Sequence, residues 1–340
     1  MSTNVGIMGF GRIGRNVFRL LYKRDDLRVR AVCDVADAAS VEYLLKFDTL
    51  SGRFPDPVSV KDGTLYAYGR PVALLTGFER AAVPDWKALG VDVVIETTNR
   101  KLGRADLERH LAAGAKKVVL AALPAEPLDL MAVMGVNDGL LRKDHRLVSL
   151  ASPSVHAMAP LLKTLHEAFG IERVMFTTIH EYTSHHRLAD VPAEDMRLGR
   201  SAPENIVPQE SRSGAVLMDL FPEFKGRILG TAMNVPVPNG SAVDLVCWHT
   251  GKVTPVAVNE VVRTAAGSRY RGLLEYIEDP IVSSDIAGSP YSGTFDSKAT
   301  MVLGEKMSKI LTWFDSSWAA AHRIVEVVDR FHAFDQEARS

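Results

Sequence analysis

The sequence predicts an α/β protein of two domains, and three observations carry that prediction. Its 340 residues exceed the usual span of one hydrophobic core. The first half alternates short β-branched runs with amphipathic helical stretches, the pattern of βαβ units on a parallel sheet. Beyond residue 150 the apolar runs lengthen and alternate, which points to a second, α+β domain with a mixed sheet and covering helices.

In chain order, VGIMGF (5–10), RVRAVCD (28–34), VDVVIETT (91–98) and KKVVLAA (116–122) read as strands. Between them RIGRNVFRLLYKR (12–24) and RADLERHLAAGA (104–115) have helical periodicity. In the second half RVMFTTIHEY (173–182), ILGTAMNVPVP (228–238) and SAVDLVCWHT (241–250) read as longer strands. The last helix, SSWAAAHRIVEVVDRF (316–331), carries apolar residues at three and four spacing and is expected to pack back onto the first domain.

Composition narrows the function classes. With 46% hydrophobic residues there is ample material for two cores. A net charge of -1, from 40 basic and 41 acidic residues, offers no global attraction to nucleic acid or to an anionic membrane, and neither partner is expected. There is no uninterrupted apolar run of about 18 residues. The first residues lead directly into a strand with no secretory leader, so a cytoplasmic location is expected. Cys33 and Cys247 lie in apolar strands, away from metal or disulfide spacing.

Gly9, Gly11 and Gly14 form G-x-G-x-x-G between an apolar strand and a helix. Such glycines permit a tight turn and let a pyrophosphate approach the helix N-terminus, where unpaired N–H groups and the dipole favour an anion. Asp34 ends the next strand, where its carboxylate can accept hydrogen bonds from ribose hydroxyls and repel a 2′-phosphate. NAD is therefore favoured over NADP.

The strings VGIMGFGRIGRNVFR, YLLKFDTLSGRF, LGVDVVIETT, AGAKKVV, MGVN, NIVP, VPVPNGSAVDL and WFD resemble the glyceraldehyde-3-phosphate dehydrogenase family over essentially the whole chain. The resemblance implies a Rossmann NAD-binding domain at 1–152 plus 317–340. A catalytic-type domain at 153–316 would carry an S-shaped loop at about 181–204, in a homotetramer. It also implies that Arg12 approaches the pyrophosphate, Asp34 the ribose and Arg80 the adenine edge. Thr98 and Ser316 would complete the cofactor contacts.

The family's chemistry uses a thiolate nucleophile, a histidine base and a phosphate that releases the acyl group. Its S-N-A-S-C-T-T-N motif stands here as Ser149-Leu150-Ala151-Ser152-Pro153-Ser154-Val155-His156, so the resemblance puts Pro153 at the nucleophile's position. Proline has neither a nucleophilic side chain nor the backbone N–H that the family aims at the oxyanion. Ser152 as N-cap and Pro153 at the first helical position, ahead of apolar Met158, Leu161 and Leu162, read as a stable helix start. His180 matches the base.

The anion-binding positions are altered too. Thr183 is kept, His185 replaces a threonine, and Asn234 replaces an arginine, which removes a bidentate phosphate grip. Gln209-Glu210-Ser211-Arg212-Ser213 replaces A-S-T-G-A; Ser211 and Arg212, with Ser152 and Ser154, remain candidates for anion contact. Ser316 replaces the asparagine that meets the nicotinamide carboxamide, Ala320 a nearby tyrosine, and Asn99 a glycine. No metal site is expected: His156, His180, His185 and His186 lack ligand spacing, and the adjacent pair diverges.

Two readings emerge. One is a family homologue inactive in the phosphorylating reaction, a pseudoenzyme that retains nucleotide binding and an oligomeric scaffold and serves as a protein partner or regulatory subunit. The alternative is an NAD-dependent oxidoreductase that acts on another substrate through His180 without a thioester.

Overall fold

The computed structural model describes residues 2–77, 79 and 82–337. The chain divides into two compact units. The first holds residues up to Ala132, Asp138–Ser152 and the chain from Ala320; the second holds Val133–Asn137 and Pro153–Ala319.

In the first unit the strands are β1 (Thr3–Met8), β2 (Leu27–Cys33), β3 (Phe47–Asp48), β4 (Gly52–Arg53), β5 (Val58–Lys61), β6 (Thr64–Ala67), β7 (Arg70–Leu75), β8 (Val93–Glu96), β9 (Lys117–Leu120), β10 (Leu130–Met131) and β11 (Leu147–Ser149). Helices α1 (Arg12–Leu21), α2 (Ala38–Lys46) and α3 (Arg104–Ala112) join them. Among the described residues nine strands form one sheet in the order β10-β11-β9-β8-β1-β2-β7-β6-β5. It is parallel from β10 to β7, and the hairpin strands β6 and β5 extend it antiparallel. The strands on the two sides of β1 are β2, which follows it directly, and β8, reached later. Strand order therefore reverses at β1 and β8, the kind of switch point at whose carboxyl ends open α/β sheets bind ligands.

β1, β8 and β9 read as almost unbroken apolar runs because parallel strands covered on both faces have no side to give to water. Met8, Cys33, Val94, Leu107, Val118 and Trp86 pack together on one side. The final helix, α7 (Trp318–Glu337), contributes its residues from Ala320 onward to this unit. Thr3 Oγ1 meets His332 Nδ1 at 2.9 Å, and Lys117 Nζ lies 4.4 Å from the centre of the Phe331 ring.

The second unit has the strands β12 (Ile171–Glu181), β13 (Val207–Glu210), β14 (Ile228–Val235), β15 (Ser241–His249), β16 (Leu274–Ile277), β17 (Gly293–Leu303) and β18 (Met307–Phe314). Its helices are α4 (Pro153–Phe169), α5 (Ser213–Leu220) and α6 (Pro255–Gly267). The sheet order among the described residues is β13-β14-β12-β15-β18-β17-β16, with parallel pairing at β12/β14 and β16/β17 and antiparallel pairing elsewhere. It is the mixed sheet the alternating runs predict. α4 buries Val155, Met158, Leu161, Leu162 and Leu165 completely, and the other face of the sheet leaves Met175, Leu229, Met301 and Leu303 exposed.

Candidate functional site

The glycine turn lies at the carboxyl end of β1. Gly9 has φ of 90°, and a Cβ there would come within 2.8 Å of the Thr98 nitrogen. At Gly14 a Cβ would stand 2.2 Å from the Gly9 carbonyl oxygen, so only glycine lets α1 pack this close. Gly11 differs: nothing lies within 4 Å of its Cβ position, and as the N-cap of α1 it offers no side chain to the first N–H groups. Arg12 opens the helix, whose first turn has no acidic residue. A helix N-terminus with positive dipole character beside unfilled space fits a pyrophosphate.

Asp34 turns toward the same loop. Its Oδ2 accepts from Phe10 N at 2.6 Å and its Oδ1 from Ala36 N at 2.9 Å, which fixes the carboxylate and leaves each oxygen acceptor capacity for ribose hydroxyls. Thr98 donates its N–H to buried Glu96 at 2.8 Å, and its hydroxyl bonds the same carboxylate. Behind Glu96, His110 Nε2 stands 3.4 Å away while His110 Nδ1 accepts from Trp86 Nε1 at 3.0 Å. Sequence reasoning missed this Trp–His–Glu support, whose members are 24 and 14 residues apart along the chain. Asn99 has φ of 56°, a left-handed position that asparagine tolerates better than most side chains. Arg80, expected at the adenine edge, lies outside the described residues.

In the second unit Pro153 opens α4, its missing N–H falling where a helix has no internal partner for one. Ala151, shortly before it, has φ of 51°. Ser154 is buried with its Oγ 2.9 Å from that of Ser213, and Ser213 N donates to Ser211 Oγ at 3.3 Å. The Ser154 and Ser213 hydroxyls thus engage each other, and that of Ser211 engages the backbone. Ser152 is half-buried at the turn, and exposed Arg212 occupies the N-cap position of α5.

His180 stands near the end of β12, with Nδ1 2.7 Å from the Glu181 carbonyl oxygen and 3.6 Å from Glu181 Oε2. Glu181 is fully buried, and the hydroxyls of Ser241 and Ser316 both donate to its carboxylate. The structure thus places Ser316, expected at the nicotinamide end, against Glu181. Thr183 N donates to His186 Nδ1 at 2.9 Å. Burial, then the nearby His180 and His185, push His186 below the ordinary histidine range. Asn234 pairs with His180 in the β12/β14 register and donates Nδ2 to Gln209 Oε1 at 2.8 Å. Two of the positions expected at the anion site therefore satisfy each other through a neutral bond.

Neither cysteine is poised for nucleophilic work. Burial, followed by the charges of Asp34 and Glu96, pushes the Cys33 thiol up to about 12, and burial alone pushes Cys247 up to about 12. Among the described residues no three His, Cys, Asp or Glu side chains are grouped to hold a metal ion. A cavity of about 330 Å³ lies at the amino-terminal end of β2, the end opposite the glycine turn. Its lining includes Arg24, bonded to Asp26 and Asp329, and Arg70, bonded to Asp25.

Comparison with known proteins gives matches to two family descriptions. Residues 3–103 match the glyceraldehyde 3-phosphate dehydrogenase NAD binding domain, and residues 152–316 match the C-terminal domain of the same enzyme. The glyceraldehyde-3-phosphate dehydrogenase of Geobacillus stearothermophilus is 42% identical over 328 residues, 96% of this chain and 97% of that protein. That of Streptomyces coelicolor is 44% identical over 330 residues, 96% and 98% of the two chains. That of Mycobacterium leprae is 39% identical over 334 residues, again 96% and 98%.

Proposed function

We propose a function from one premise: the chain belongs to the glyceraldehyde-3-phosphate dehydrogenase family and carries that family's NAD-binding domain. It is a nucleotide-binding member that does not run the phosphorylating oxidation. One observation carries this reading: a proline, Pro153, begins α4 where the family resemblance puts the nucleophile. With it go the sulfur and the backbone N–H that would stabilise an oxyanion. Two further features support it. Both cysteines are buried with thiols held protonated, and Asn234, in place of an arginine, is bonded to Gln209.

Gly9, Gly11, Arg12, Gly14, Asp34 and Thr98 would hold the cofactor's pyrophosphate and adenosine side. NAD supplies a hydride acceptor when bound. Ser316, whose hydroxyl already donates to Glu181, has acceptor capacity alone to offer a carboxamide, and this weakens the nicotinamide end. The exposed Met175, Leu229, Met301 and Leu303 on one sheet face, with Leu188 and Met196 in the S-loop, support a homotetramer, since a solvated sheet face seldom carries such a patch without a partner. No helix among the described residues is long and apolar enough to cross a membrane, and a cytoplasmic location is part of this reading.

A second reading, NAD-dependent oxidation of a different substrate through His180, is favoured by the carboxylate of Glu181 beside that imidazole. Calorimetric titration of cofactor-stripped protein with NAD and with ADP-ribose separates the two. Equal affinities are expected of the first reading. Much tighter binding of NAD supports the second, and failure of both ligands to bind contradicts both.

A further inference from the structure

We propose that the Glu181 carboxylate is the charge partner of His180, and that the two form a proton-accepting pair for a substrate hydroxyl. For its chemical use the proposal rests on the second reading; the pair itself rests on the geometry of the second unit.

The backbone fixes the tautomer. A carbonyl oxygen can only accept, so the 2.7 Å contact from His180 Nδ1 to the Glu181 carbonyl puts the proton on Nδ1 and the lone pair on Nε2. Nε2 is the proton acceptor. Taking a second proton turns the ring into a cation whose Nδ1 lies 3.6 Å from Glu181 Oε2. At that distance the two charges interact directly.

The carboxylate is held through both of its oxygens. Its Oε1 receives the Ser316 hydroxyl and its Oε2 the Ser241 hydroxyl. Ser241 Oγ in turn accepts the Glu181 N–H at 3.2 Å, which turns its own proton toward the carboxylate. Donors on both oxygens fix the carboxylate in place.

Among the described residues the titratable neighbours on the turn after β12 are His185 and His186; the facing positions of β14, β15 and the β18 end carry Asn234, Ala242, Ser241, Phe314 and Ser316, which do not titrate. Asp315, next to Ser316, is committed to Asn239 Nδ2 and to the N–H groups of Gly288, Ser317 and Trp318.

The step this pair serves balances simply. The substrate's O–H bond would break with its proton going to His180 Nε2, and NAD, when bound, would supply the acceptor for the carbon-bound hydrogen and its electron pair as the carbon–oxygen double bond forms. The alcohol would be oxidised and NAD reduced, with the Glu181 carboxylate facing the charge left on the imidazole.

The test needs no substrate. The titration of the His180 ring is followed by NMR in the full-length protein and in Glu181→Gln, which keeps partners for Ser241 and Ser316 but removes the charge. The expected result is a lower midpoint in the variant, the direction that loss of a neighbouring negative charge gives. Glu181→Asp keeps the charge and draws it back, and is expected to give an intermediate midpoint; it serves as the test if the glutamine variant does not fold. A midpoint unmoved in the folded variants overturns the pair. A moved midpoint in a protein that oxidises no alcohol with NAD upholds the pair and removes the second reading alone.

Discussion

The turn after β1 and the turn before α4 both lead a strand into a helix, and they are built to opposite ends. The first uses three glycines to keep side chains away: Gly9 and Gly14 allow contact at distances no Cβ permits, and Gly11 leaves open space before the first N–H groups of α1. The second has no glycine. Ala151 holds φ of 51°, a conformation costing a non-glycine residue about 1–2 kcal/mol, and proline replaces the first helical donor. Past that proline, α4 presents a fully buried apolar face. A junction that receives a ligand keeps its backbone bare, whereas the one before α4 is filled for packing.

The largest expected effect tests the packing side. Leu162→Ala removes a completely buried side chain from α4 and is expected to cost about 2–5 kcal/mol of unfolding free energy in a denaturant titration. NAD affinity should remain unchanged; a parallel loss would break the distinction between the junctions. Gly14→Ala is the converse. Its methyl would press on the Gly9 carbonyl, and calorimetry should find NAD binding weakened at least tenfold, about 1.4 kcal/mol.

Acid gives the next effect. Burial holds His249, His186 and His322 below the ordinary histidine value of 6.5. The unfolded chain therefore binds more protons than the folded one in the window beneath that value, so stability present above pH 6.5 is lost as pH falls through it. The slope should not exceed about 1.4 kcal/mol per pH unit for each proton taken up. A flat melting temperature from pH 7 to 5 would show these rings titrating normally. The smallest expected change is Pro153→Ala: loss of the preset helix start should lower stability by about 0.4–1 kcal/mol. A gain in stability would mean that proline strains this turn.

Much of the fold was legible because its signals are local. β-branched runs of four to eight residues, helical periodicity and the spacing of Gly9, Gly11, Gly14 and Asp34 each sit within a short window of chain. The role of Glu181 was not legible. Strand alternation puts His180 on the same face as Val174, Phe176 and Thr178, and Glu181 on the face of exposed Met175. Glu181 is nevertheless completely buried, because Ser241 and Ser316, 60 and 135 residues away, close over it. The Asn234–Gln209 bond escaped for the same reason: each substitution reads as a loss by itself, and only the β13/β14 register shows that they compensate. A glutamate directly after a strand-end histidine was the one available clue.

The most direct measurement is phosphate-dependent oxidation of glyceraldehyde 3-phosphate by the purified protein at saturating NAD, with cofactor binding verified on the same sample. Bound NAD with no turnover above the protein-free rate is the expected result. Sustained, phosphate-dependent reduction of NAD would contradict the claim that a proline at position 153 has ended the family's reaction in this chain.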